Sequence, residues 1–189
     1  MRISLRGTGD GLRVRMRLDV NRRRWLALRI MLGILAFIGL LTGLWAVLAP
    51  RSWYDSFPGF GMRWVSVDGP YNHHLAADVG AFFLALAVVA LAALYLMDSM
   101  VARVAGVAWA VFGLPHLLYH LTHWPDELSG VSAVLSAVSL ILIPALGVAC
   151  VFVAPRERHP VPEPAPFTLR FPQRRSTRHT RGQGTRPPR

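Results

Sequence analysis

The chain has one cysteine, Cys150, no lysine, and ten carboxylates against twenty-one arginines. A lone cysteine excludes an intrachain disulfide and any metal site built from several thiolates of one chain. No fixed catalytic signature such as H-E-x-x-H occurs, so no reaction can be read from a motif. The missing lysine is read as genome composition and carries no mechanistic weight. Charge itself is absent over four stretches. Ile30 to Ala49, Val79 to Met97 and Val131 to Ala154 contain no Asp, Glu, Lys or Arg, and Val104 to Leu121 contains only histidine as an ionisable group.

What is present is apolar. Hydrophobic residues make up 53% of the 189, and the mean hydropathy is +0.37, although the net charge is +11. These values fit one chain only if apolar and charged residues are segregated. A bilayer core of ~30 Å needs about 20 helical residues, and in lipid a helix is the way such a run satisfies its own backbone. The reading is an all-α membrane protein, a four-transmembrane-helix bundle with disordered basic tails. Its spans are placed at about 27–49, 75–97, 101–121 and 131–154, within a domain covering 25–154. A basic arm, 1–24, precedes it and a Pro/Arg-rich tail, 155–189, follows.

Arginine placement predicts orientation. Nine arginines precede Ile30 against Asp10 and Asp19, and nine follow Ala154 against Glu157 and Glu163, an excess of seven at each end. The connection from Pro50 to His73 balances Arg51 and Arg63 against Asp55 and Asp68. Positive residues stay inside, so both termini are expected in the cytoplasm and the protein in the inner (plasma) membrane. The first span is too long for a signal-peptide core and is read as uncleaved. Cys150, near the inner end of the last helix, is expected to be a small packing residue.

The tail holds eight of the fourteen prolines and is expected to be disordered. The charge of both tails suits anionic lipids, at roughly 1 kcal/mol per basic residue near the surface. Nucleic acid is disfavoured as a partner because no aromatic or fold motif accompanies the charge. At the start, Ile3-Ser4-Leu5-Arg6, a Gly-rich turn and the alternation from Leu12 to Val20 form a hairpin pattern. It suggests a small ribbon, with Phe167 to Phe171 as a candidate third strand, in place of a disordered arm. Within the spans, Gly39 with Gly43 and Gly106 with Ala110 form small-xxx-small pairs, and Ser132, Ser136 and Ser139 line one face of the last helix. Pro115 and Pro144 are expected to kink their helices.

Ionisable groups inside a span usually face the bundle interior. His116, His120 and His123 follow Gly113 in steps of three and four, while His74 and Asp78 lie four apart. If the second and third spans form a hairpin turning near Asp98 and Ser99, Asp78 sits level with His120 and His74 with His123. His74, Asp78, His116 and His120 are therefore the candidate metal ligands. Two or three neutral imidazoles with a carboxylate suit zinc or copper, a haem iron takes one histidine from each of two helices, and proton relays use the same residues. The bland alternative is a structural lock of Asp78 with His120 or Arg51, with His73, His74 and His123 merely interfacial. The long loop from Pro50 to His73 carries Trp53, Tyr54, Phe57, Phe60, Trp64 and Tyr71, which suit an interfacial cap with a short helix near Ser52 to Phe57.

The segments PRSWYDSFPGFG (50–61), DGPYNHHLAADVGAFFLALA (68–87) and FGLPHLLYHLTH (112–123) resemble small four-helix integral membrane proteins of actinobacteria. That group is uncharacterised and loosely similar to the DoxX-like proteins. The resemblance covers about Trp45 to Cys150 and implies at most an accessory role in membrane redox systems. The function expected is that of a non-catalytic membrane component whose His/Asp cluster binds a metal ion or haem. A haem- or metal-dependent oxidoreductase and a small proton or solute transporter are the alternatives. A homo-oligomer or a membrane redox protein is the expected partner.

Overall fold

The computed structural model describes residues 2–8, 11–17, 21–161 and 165–170. Its order is β1 (Arg2–Thr8), β2 (Gly11–Arg17), α1 (Arg22–Leu48), α2 (Pro50–Ser56), β3 (Pro58–Gly59), β4 (Met62–Arg63), α3 (His73–Leu96), α4 (Ser99–Thr122), α5 (Gly130–Val153) and β5 (Phe167–Arg170). These elements divide into two units: the β1, β2 and β5 sheet, and the body from Asn21 to Val161.

In the sheet, β2 is central and antiparallel to both neighbours. Leu5, Val14 and Phe167 stand in one cross-strand row, and Val14 is buried. A two-stranded hairpin is marginal in water, and a third strand relieves that weakness. The expected ribbon is therefore present, and residues 167–170, placed in a disordered tail from composition, are a strand. Phe167 and Leu169 alternate with Thr168 and Arg170, and that local alternation outweighs the surrounding proline content.

In the body, α1, α3, α4 and α5 are each long and apolar enough to cross a membrane. They match the four expected spans to within a few residues, except that α1 starts earlier, at Arg22. The short helix expected in the loop is α2, opened by Pro50. Between α3 and α4 the connection is only Met97 and Asp98. Met97 takes a left-handed conformation, and the Asp98 side chain accepts hydrogen bonds from the amides of Met100 (2.8 Å) and Val101 (3.4 Å), capping α4.

Small residues decide which helices touch. A Cβ on Gly39 would lie 2.8 Å from the Ala87 Cβ and 2.9 Å from the Phe83 carbonyl oxygen, and one on Gly43 would lie 2.9 Å from the Gly80 carbonyl oxygen. α1 thus packs backbone to backbone on α3. Gly106 and Gly147 do the same for α4 and α5, and Gly113 receives the ring of Pro144. Lipid provides no hydrophobic drive between helices, so such close approach is what holds them together. The two tight pairs meet through Phe83, Ala90 and Ala93 of α3 and Ala102, Ala105 and Trp109 of α4. Cys150 is fully buried beside Gly106, as a packing residue should be. Ile34, Phe37, Leu41, Leu44 and Leu48 of α1 remain exposed, the surface a lipid-facing helix requires.

Candidate functional site

The buried stripe of α4 runs through Ala102, Ala105, Gly106, Trp109 and Gly113. Continuing it by helical steps gives His116 and His120, so both histidines point inward on the α4 face that packs the core. The His116 ring stacks on Phe112, with centroids 5.5 Å apart and planes at 19°. His120 meets it edge-on at 4.8 Å and also touches Tyr119 at 5.2 Å. Phe112 in turn packs on Phe83 and Trp109, so a row of rings extends from the core to the histidine pair. Beyond Gly113 no residue of α4 is fully buried. The pair is therefore half-buried and accessible.

His74 and Asp78 sit elsewhere. The buried stripe of α3 is Ala76, Gly80, Phe83, Ala87 and Ala90, facing α1, and Asp78 lies two residues from both Ala76 and Gly80 on the opposite side of the helix. Its carboxylate lies 3.3 Å from His74 Nε2, with side chains 49% and 88% exposed. The expected Asp78–His120 lock does not form, nor does an Asp78–Arg51 pair. Residue numbers that suggest equal depth along two helices carry no information on rotation about each axis. Gly39 and Gly43 draw the opposite face of α3 onto α1 and so turn Asp78 away. Among the described residues, no three His, Cys, Asp or Glu side chains gather closely enough to hold one ion.

Among the described residues no carboxylate forms an ion pair with His116 or His120, and the acid on the connection from β4 to α3 is Asp68. It belongs to the aromatic loop, which is ordered by its own packing. Trp45, Trp53 and Trp64 surround Phe57, and Tyr54 stacks edge-on with Tyr71 at 5.2 Å. Arg51 lies over the Tyr71 ring at 4.8 Å and donates to Asp55 at 2.7 Å, which holds its guanidinium still more firmly protonated. Trp64 Nε1 donates to Ser132 Oγ at 2.9 Å, tying the loop across to α5. His73 lies against Tyr71, and His123 stacks on Tyr119 while remaining exposed.

A second polar cluster occupies the other end of the body. Asp98 is buried and accepts from Arg158 Nε at 2.7 Å, with His159 Nε2 at 3.8 Å. The Ser99 amide donates to the Arg158 carbonyl at 2.8 Å, and Arg103 Nη2 donates to the carbonyls of Ala154 (3.0 Å) and Pro155 (2.8 Å). The Arg158 bond, reinforced by the Met100 and Val101 amides, holds the Asp98 carboxyl below the ordinary carboxylate range despite its burial. Residues 155–161 were expected in the disordered tail. They instead form a strap over the α3–α4 turn, because Arg103 and Asp98 satisfy groups that proline-rich chain cannot satisfy itself. A turn at Asp98 was legible in the sequence; its partner sixty residues away was not. No family model, curated protein or solved structure matches the chain.

Proposed function

We propose that this chain is a non-catalytic component of the inner membrane that holds a transition-metal ion on His116 and His120 at the outer face. The observation carrying this is the edge-to-face imidazole pair, 4.8 Å between centroids, half-buried on the inward face of α4. Two neutral imidazoles one helical turn apart suit zinc or copper, and the remaining coordination positions would fall to water or an incoming group. Haem fits less well, because His116 and His120 share one helix and His74 pairs with its own neighbour. A redox-accessory role of the kind the DoxX resemblance suggests belongs to the same proposal.

Titration of the purified protein with Zn²⁺ or Cu²⁺ tests it. One ion per chain is expected. His116→Ala and His120→Ala should each weaken binding at least about tenfold, a loss already seen for groups that merely orient a ligand. His74→Ala and Asp78→Ala should leave it unchanged. Equal binding by wild type and a His116/His120 double variant would sink the metal assignment.

The orientation in this proposal rests on the two arginine-rich ends and the neutral loop between α1 and α3. A reporter fused after Arg189 should read cytoplasmic, and one inserted near Gly61 should read external. The reverse pattern would place the histidine pair at the inner face.

A further inference from the structure

Arg29 is the residue immediately before the uncharged run from Ile30 to Ala49. A run of that length matches a hydrocarbon core of ~30 Å, which puts the Arg29 guanidinium at the level of lipid headgroups. It lies within α1 and faces outward, between Leu26 (58% exposed) and Ile30 (55% exposed). Its Nε donates to Met97 Sδ at 3.2 Å, and thioether sulfur is a weak acceptor. Among the described residues no carboxylate pairs with Arg29, and its two terminal nitrogens have no partner. The other side of Met97 is occupied, with His159 Nδ1 lying 3.2 Å from its carbonyl oxygen. Arg22 lies seven residues earlier on the same face of α1 and is also exposed and unpaired among the described residues.

A guanidinium held against a lipid-facing rim without a counter-charge calls for an anion that itself carries apolar chains. We propose that Arg29, positioned by Met97 and assisted by Arg22, binds the phosphate of an anionic glycerophospholipid, whose acyl chains run along the exposed Ile30, Ile34 and Phe37. The fork of unpaired nitrogens matches two phosphate oxygens. The Met97 contact favours one placement of the side chain, which distinguishes this site from the general attraction of basic tails for an anionic surface.

The test uses the full chain in nanodiscs of phosphatidylcholine with or without phosphatidylglycerol. Phosphatidylglycerol should raise the thermal midpoint of the wild type, and mass spectrometry should find it retained on gentle delipidation. Arg29→Gln should lose most of that rise and retain the lipid about fivefold less well, the scale for one basic residue at an anionic surface. Arg23→Gln removes the same charge from another face of α1 and should behave as wild type. If Arg29→Gln fails to insert, Arg29→Lys serves in its place and should weaken retention by losing the fork while keeping the charge. Equal losses in the Arg29 and Arg23 variants would reduce the effect to bulk charge and overturn the site. Competition by soluble glycerol phosphate at similar concentration would overturn the lipid as ligand.

Discussion

Gly106→Ala is expected to destabilise the protein by about 1–3 kcal/mol, the range for overfilling a close-packed contact. The new Cβ would lie 2.6 Å from the Gly147 carbonyl oxygen and 2.9 Å from the Cys150 Cβ. Backbone oxygen cannot swing aside as a long side chain can, so α4 and α5 must move apart. Gly147→Ala meets the Ala110 amide nitrogen at 2.7 Å and should cost a similar amount. Because the two glycines share one contact, the double variant should lose less than the sum. Gly33 provides the control: a Cβ there meets nothing within 4 Å, so Gly33→Ala should be neutral or slightly stabilising through helix propensity. Thermal midpoints in one detergent check all four, and an unperturbed Gly106→Ala would mean that the α4–α5 contact is looser than described.

Asp98→Ala should release the strap and weaken the start of α4 together. It removes the acceptor for Arg158 and for two backbone amides, and leaves a guanidinium and helix-terminal N–H groups without their partner. The expected readout is a fall of a few degrees in thermal midpoint and new protease cleavage between 155 and 161. Arg158→Ala should free the strap with less effect on α4, because the cap remains. Acid should imitate Arg158→Ala. The folded carboxyl is held below its ordinary range, so its ionised form contributes fully above the unfolded pKa of about 4. That contribution is lost as pH falls through the lower folded value. Cleavage at the strap should therefore stay constant from neutral pH down to about 4 and rise only below it. A strap that loosens well above a pH of about 4 would mean that Asp98 does not control it.

The two clusters differ in how far they could be read from residues alone. For His116 and His120 the helical period was sufficient, because each continues the stripe begun by Trp109 and Gly113 on the same helix. Relating them to Asp78 needed the rotation of α3, and nothing local to α3 states it: its residues are apolar nearly all round, so hydropathy marks no inward face. Asp68 was visible only as one half of a charge balance in the loop. In the sequence Arg158 is one more basic residue of a tail, and only the fold brings it onto Asp98.

Four apolar runs of spanning length, the arginine excess at both ends, the β1–β2 hairpin and the inward face of α4 were determined by the sequence by itself. Each rests on a local quantity: hydrophobic length, charge count, or a period of two or 3.6 residues. Which helices pair, which way Asp78 faces and what Asp98 holds were decided only by the tertiary structure. In an apolar solvent every helix face is comfortable, and pairing is settled by where backbones can approach at Gly39, Gly43, Gly106 and Gly147. That fit between two surfaces is a property of neither surface alone.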